Sequence, residues 1–394
     1  MPAILTRKPW LYMLIFNETL PLSLYIHIPW CVRKCPYCDF NSHEAKSSLP
    51  EELYVAALIQ ELESRLHFIQ NRPIKSIFFG GGTPSLFSAK SIAQILEAVA
   101  KKTDMSGNTE ITLEANPGTI DQVRFSGFRS AGINRLSMGI QSLQDDKLKT
   151  LGRIHDRNNA MRAIQLAREA GFDNFNLDIM YGLPDQSIED AMQDLRDALA
   201  FEPAHFSWYQ LTIEPNTLFY RQRPALPADD MIWDMQLTGQ EYLRQAGYRQ
   251  YEVSAYSQAG KECLHNRNYW EFGDYLGLGA GAHSKITDAE SGAVMRFSQV
   301  KHPKDYLDGA KRQHINLSYI QDNDLVFEFM LNALRLTDGV SAELFARHTG
   351  IALERIELLL SAAKQRGLMI NDAERLCASE LGMKFLNDLT EMFL

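Results

Sequence analysis

Between residues 24 and 211 the chain sets out six short apolar strands, the first five each followed by a polar or glycine-bearing loop and a helix with a single apolar stripe, and the sixth by a helical pattern over 229–247. The strands fall in the run that ends at Cys31 and at 75–79, 110–115, 135–140, 174–180 and 205–211; helical stripes occupy 50–70, 88–101, 119–131, 156–170 and 187–199. The first helix shows the stripe plainly, with Leu53, Ala57, Leu58, Leu62, Leu66 and Ile69 on one face. A helix after each strand predicts parallel pairing, because parallel neighbours need a crossover connection that a hairpin cannot supply. The expected fold is therefore α/β, a partial or closed (β/α)6 TIM-like barrel. The 394 residues leave room for such a barrel of about 250 residues and an appendage.

Polar residues sit where a barrel would use them. Cys31, Cys35 and Cys38 follow the first strand, Gly81, Gly82 and Thr83 the second, Glu114 ends the third, Gln141 the fourth, and Asp178 lies in the last turn of the fifth. Loops at the C-terminal ends of barrel strands build active sites, so five separate segments converge on one face. The C-x3-C-x2-C spacing offers three thiolates and no nearby fourth. Such a loop can ligate three irons of a [4Fe-4S] cubane and leave the fourth open, and an open metal position is where chemistry takes place. The alternative is zinc, with His43 completing a Cys3His set. Three glycines after a strand allow close backbone approach to a ligand, although a tight turn would need them too. Neither G-x-G-x-x-G nor G-K-[ST] is present, which argues against a phosphate loop.

Forty basic and forty-nine acidic residues give a net charge of -9, so bulk electrostatics favour neither nucleic acid nor an anionic membrane. Five cysteines, three of them clustered, point to a reducing, cytoplasmic setting and metal use. Residues 1–20 read as a dispensable leader, with a start at Met1 or at Met13. The apolar run 10–16 is too short to span a bilayer. The barrel is expected over 21–240 and a connecting segment, rich in glycine and aromatics, over 241–310. A C-terminal winged-helix-like α+β domain follows over 311–394: helices, two short strands after Gly367, and a last helix. From Asp322 onward it holds seven basic and twelve acidic residues, a balance of -5. That predicts a packing or lid role, not DNA binding.

The run YIHIPWCxxxCPYCDF resembles the cluster loop of the radical S-adenosylmethionine (radical SAM) superfamily, in the branch of oxygen-independent coproporphyrinogen III oxidases and HemW-type heme chaperones. The resemblance implies a [4Fe-4S] cluster on Cys31, Cys35 and Cys38, with S-adenosylmethionine chelating the open iron. It further implies that Gly81, Gly82 and Thr83 approach the methionyl group. Tyr25, Glu114, Gln141, Arg153 and Asp178 would contact the amino, carboxylate or ribose groups, and Tyr37 would lie near the adenine.

A second motif, His265-Asn266-Arg267-Asn268-Tyr269, resembles the HNRxY signature of the chaperones, which the oxidases lack. It implies heme as a further ligand, with His265 a candidate axial ligand, Arg267 a candidate propionate partner and His283 a weaker second ligand. The plain reading of such a histidine is a hydrogen-bonded structural residue. Cys263 and Cys377 read as buried, idle thiols. The oxidases carry a further cysteine where this chain has Phe40, and a longer segment before the cluster loop. The implied function is heme delivery to acceptor proteins, membrane-bound respiratory enzymes among them. The alternative is decarboxylation of coproporphyrinogen III to protoporphyrinogen.

Overall fold

The computed structural model describes residues 14–46, 48–119 and 121–394. The six expected strands are β1 (Leu22–Ile28), β2 (Pro73–Gly81), β3 (Asp104–Ala115), β4 (Arg135–Gln141), β5 (Phe175–Tyr181) and β6 (His205–Gln210). Each pairs in parallel with the next. The crossover helices α1 (Glu51–Arg65), α2 (Ala89–Lys102), α3 (Gln122–Ala131), α4 (Arg157–Glu169) and α5 (Ile188–Leu199) begin where the sequence supplies caps. Ser88 and Asp121 accept from the third residue of α2 and α3, and Asp156 and Ser187 form full capping boxes.

The sheet is larger than six strands. The helix α6 (Asp229–Gln245) straddles the expected end of the barrel, and the segment expected to connect the two domains adds five strands: β7 (Arg249–Glu252), β8 (Ala255–Ser257), β9 (Asp274–Leu278), β10 (His283–Asp288) and β11 (Ala293–Ser298), with α7 (Leu264–Trp270) before β9. With β12 (Asn316–Tyr319) they complete a 12-stranded sheet of order β12-β11-β10-β9-β1-β2-β3-β4-β5-β6-β8-β7. β9 runs parallel to β1, so the parallel series gains a seventh member, and antiparallel strands extend both edges. The barrel is therefore partial: its two ends, β12 and β7, do not meet.

Leu24, Ile26, Ile77, Phe79, Leu113, Leu136, Ile140, Leu177, Ile179 and Phe206 form one core with the stripes of the surrounding helices, including Ile92, Ile95, Val99, Ile164 and Leu195. A second core joins α8 (Asp322–Ala333), α9 (Ala342–Thr349) and α10 (Glu357–Gln365). The strands of this C-terminal unit differ from expectation. One two-residue strand, Val340–Ser341, precedes α9 and pairs with Arg375–Leu376, and a single bridge links Met369 and Ala378.

The expected leader falls outside the described residues up to residue 13. From there on Leu14, Phe16 and Leu20 are buried in the second core, and the Ile15 amide donates to the Gly350 carbonyl.

One buried polar network fixes β9 against its neighbours. Asp274, fully buried, accepts from Arg72 Nη1 at 2.7 Å, Lys285 Nζ at 3.1 Å, and the Thr287 amide and hydroxyl at 2.8 and 2.9 Å. Burial opposes its charge, but Lys285 and Arg72 hold the carboxyl below the usual range. Removing one member of such a network strands the others as buried charges, at a cost of about 3–5 kcal/mol. Asp274→Asn is expected to lower the unfolding free energy by about that amount in a denaturant titration. A loss under about 1 kcal/mol would show that the network carries little of the edge's stability.

Candidate cofactor site

Along the parallel strands the alternation is inverted relative to a water-facing sheet: apolar side chains point outward to the helices and polar ones point into the barrel. A cavity of about 690 Å3 opens at the C-terminal ends of the strands, lined from each strand in turn by Tyr25, Phe78, Glu114, Arg135, Ser137, Gln141, Asn176, Asp178, His205, Ser207 and Tyr209. The cysteine loop forms its rim. Of the residues expected from the sequence, Cys31, Cys35, Cys38, Tyr25, Tyr37, Gly81, Gly82, Thr83, Glu114, Gln141, Arg153, Asp178, His265, Asn266 and Tyr269 all line this one space; Arg267 and Asn268 do not.

At the rim Cys31 is buried, and Cys35 and Cys38 are half-buried. Burial pushes the Cys31 thiol up to about 11, so a bound metal centre would be what holds it as thiolate. Arg153 reaches over the loop, donating to the Gly139 carbonyl at 2.6 Å, Tyr37 OH at 3.4 Å and Cys35 Sγ at 3.6 Å. Its Nε is buried without a partner, which leaves a donor for a ligand beside the cysteines. These features fit a group that takes three thiolates and an anionic ligand arm next to them. The single-ion set fits less well. Among the described residues no three His, Cys, Asp or Glu converge as one metal ion requires, and His43 lies 3.3 Å from Asn41 Oδ1 with its ring against His302.

The glycines serve the loop as well as the cavity. A Cβ on Gly82 would strike the Trp30 carbonyl, and one on Gly81 the His27 ring. Their absence lets the Gly82 and Thr83 amides donate to Ile28 and Trp30 at 2.8 and 2.7 Å. The Gly81 amide also donates to Glu114 Oε2 at 3.1 Å. Burial, reinforced by Asp178, pushes the Glu114 carboxyl up to about 8; burial raises Asp178 as well, against hydrogen bonds from Ser207 and Asn176. Two carboxyls with raised pKa values therefore share one wall of the cavity, each held toward its neutral form by burial. Gln141 sits on a register shift between β4 and β5, at φ +71, and accepts from Tyr209 OH at 2.6 Å. A left-handed non-glycine residue on a bulge is strained, and here the strain aims an amide into the cavity.

The HNRNY motif forms most of α7 at the cavity floor. Glu110, on β3, accepts from the Leu264 and His265 amides at 3.2 and 3.1 Å and thereby caps this short helix. His265 is hydrogen-bonded at both ring nitrogens, to Ser76 Oγ at 2.9 Å and Tyr269 OH at 3.2 Å, and stacks on Phe78. Burial, with Arg135 nearby, pushes it down to about 3, so it is neutral at ordinary pH. Arg267 turns outward and pairs with Glu271 at 2.7 Å, while Asn268 donates to the Asp274 carbonyl at 2.8 Å. His283 starts β10 and is exposed; Cys263 and Cys377 are buried. Phe40 stands exposed on the rim. Sequence reasoning missed Phe78, Arg135, Ser137, Asn176, His205, Ser207 and Tyr209. For all but Phe78, the signal was the alternation of inward side chains at every second place in RLSMGIQ, FNLDIMY and HFSWYQ.

With this geometry in place, comparison with known proteins is specific. Residues 25–198 match the Radical SAM superfamily and residues 320–385 the HemN C-terminal domain. The chain is 51% identical over 379 residues to the heme chaperone HemW of Haemophilus influenzae, covering 95% of this chain and 98% of that one. To the heme chaperone HemW of Escherichia coli it is 46% identical over 374 residues, again covering 95% and 98%. Among solved structures, the Escherichia coli coproporphyrinogen III oxidase HemN, a radical SAM enzyme, superposes with a TM-score of 0.79 over 95% of this chain and 90% of that one. At 23% identity that likeness shows the fold alone. Identity of this degree along nearly the whole of two relatives settles kinship: the chain belongs to the HemW family of the radical SAM superfamily.

Proposed function

We propose that this chain is a heme chaperone, which binds heme and passes it to acceptor proteins, and that the cavity holds a [4Fe-4S] cluster and S-adenosylmethionine. The observation that carries the reading is the cavity itself. It brings the three cysteines of the rim, the carboxyls of the wall and the HNRNY helix of the floor into one space, in a chain half identical to a protein named for heme. Radical SAM membership implies the cluster and S-adenosylmethionine; heme comes from the names of the relatives. The cluster, once bound, would supply an open iron position at the rim. The chain's own residues do the rest. Cys31, Cys35 and Cys38 ligate, Arg153 offers its free donor to the carboxylate of S-adenosylmethionine, and Glu114 and Asp178 face its cationic groups. Tyr37 and Gln141 border the remainder. Among the described residues no helix is long and apolar enough to cross a membrane, so membrane-bound acceptors would be met from outside the bilayer.

Coproporphyrinogen oxidation is the second reading, favoured by the shared fold with HemN. Phe40 at the cysteine position of the oxidases and the HNRNY helix in the floor weigh against it.

Cys35→Ala leaves two thiolates, too few for a cubane with one open iron, so iron and acid-labile sulfide should fall to background after anaerobic reconstitution. Cys263→Ala should retain both. Full cluster content in the Cys35 variant would overturn the ligand assignment.

S-adenosylmethionine binding should release a proton from Glu114. The group is mostly protonated at pH 7, its ionised form pairs with the incoming cation, and affinity therefore rises with pH and levels above about 8. Calorimetry at pH 7 in two buffers of different ionisation enthalpy should show roughly one proton more for the wild type than for Glu114→Gln. The ligand's own amino group contributes equally to both. Equal release would leave Glu114 without a role in the ligand's charge balance.

Heme titration followed by the Soret band should show uptake by the wild type. His265→Ala should weaken it, and should move the band if the imidazole leaves Tyr269 to take iron. Arg267→Ala, outside the cavity, should change nothing. Many turnovers of coproporphyrinogen III with S-adenosylmethionine consumed in step would replace the chaperone reading by the oxidase.

A further inference from the structure

The barrel floor holds a cation with no adequate partner. Arg135 is 2% exposed yet lines the cavity, and its Nε has no hydrogen-bond partner. Its nearest carboxylate oxygen, on Glu110, is 4.0 Å away. Glu110 is already taken up by the Leu264 and His265 amides and by Cys263 Sγ at 3.6 Å. Thr112, directly across from Arg135 on β3, also has no partner for its Oγ1, while the polar side chains that face the floor from the next two strands are satisfied within the protein. Asn176 Nδ2 donates to Ser137 Oγ and Asp178 at 2.8 and 2.7 Å, and His205 bonds Asn176 and Tyr251 at 2.7 and 2.8 Å. A buried guanidinium lacking hydrogen bonds costs several kcal/mol, and a fold keeps one where a ligand completes it.

We infer that Arg135, with the Asn266 side chain lining the same space, forms a carboxylate-binding subsite below the S-adenosylmethionine residues, and that its ligand is a propionate of bound heme. The charge count favours a monoanion. Arg135 is faced by Glu110 from β3 and by Asp178 from β5, with Glu114 on the wall above and Arg153 at the rim. A dianionic phosphate would meet one guanidinium against these carboxyls, and the amides that begin α7 are occupied by Glu110. A planar guanidinium suits a carboxylate's two oxygens. Phe78 and Tyr25 beside it suit a flexible aliphatic arm. Arg267, the propionate partner implied by the motif, is turned out of the cavity and paired with Glu271, so the floor guanidinium is the one placed for that task. Only the identity of the carboxylate as a heme propionate rests on the chaperone reading; the subsite does not.

The test titrates cluster-loaded protein, in the presence of S-adenosylmethionine, with hemin and with hemin dimethyl ester, whose carboxylates are masked. Wild type should bind hemin at least about tenfold more tightly than the ester, as expected for a charge-assisted bond. Arg135→Gln should lose that preference while keeping its ester affinity and its cluster. Arg135→Lys, which keeps the charge without the fork, should retain part of it. If Arg135→Gln fails to fold, the wild-type preference and the lysine variant carry the test. A third arm adds butyrate and follows thermal unfolding. Equal binding of hemin and ester, with butyrate stabilising the wild type more than Arg135→Lys, would assign the subsite to a small free carboxylate and overturn the propionate. Stabilisation by butyrate with no heme uptake would leave the subsite standing and remove the chaperone reading. No preference and no butyrate effect would overturn the subsite itself.

Discussion

The constraint on which this fold rests is that the inner face of its barrel is polar. Glu114, Arg135, Arg153 and Asp178 all border one cavity, where solvation is poor and a charge survives only if paired or hydrogen-bonded. The outer face of the same strands is almost wholly aliphatic or aromatic and packs on the crossover helices. Helix packing therefore supplies the stability that the interior forgoes. This division allows raised carboxyl pKa values, and a guanidinium whose Nε has no hydrogen-bond partner, to persist beside the cavity.

What was legible in the sequence follows from the same division. Cys31, Cys35, Cys38, Gly81, Glu114, Gln141 and Asp178 could be read because each lies at or near a strand's C-terminal end, where direction along the barrel is fixed by the strand–helix order alone. Arg135, Asn176 and His205 lie at or near strand starts. There, facing inward or outward depends on register, and a one-residue slip exchanges the two faces. β9 was hidden for another reason: five residues, DYLGL, with a glycine inside, give no periodic signal, and the partnership with β1 crosses about 250 residues. Within HNRNY the motif named five residues, but a helix of seven presents only part of them to one side. His265, Asn266 and Tyr269 share the i, i+1, i+4 face that meets the cavity, and Arg267 and Asn268 do not.

The rim, wall and floor are mechanically joined through backbone. The end of β1 and the start of the cysteine loop hand the Ile28 and Trp30 carbonyls to the amides of Gly82 and Thr83 after β2, and Gly81 at the end of β2 hands its amide to Glu114 on β3. Glu110, four residues earlier on β3, caps α7 and fixes the floor. A single strand thus carries one carboxyl for the ligand wall and another for the helix that bears the motif. Residues at i and i+4 of a strand lie on the same face, about 13 Å apart. β3 therefore sets the depth of the cavity between its upper ligand layer and its floor.

That depth bears on how one protein could hold two ligands. In the proposed reading the carboxyls of the wall would answer to a cation near the rim, and the guanidinium of the floor to an anion beneath it. Glu114 once ionised, and Arg135, carry opposite charges, so each would attract one ligand and repel the other. If Glu114 ionises when the cation arrives, the interior gains a negative charge that weakens the hold on an anion below, unless the cation itself remains. Occupancy of the lower layer would then depend on occupancy of the upper one, and the coupling is reciprocal by linkage. In this fold the raised Glu114 pKa and the Arg135 Nε without a hydrogen bond belong to one electrostatic arrangement: Arg135 on β4 lies across from Thr112, two residues or about 7 Å before Glu114 along β3.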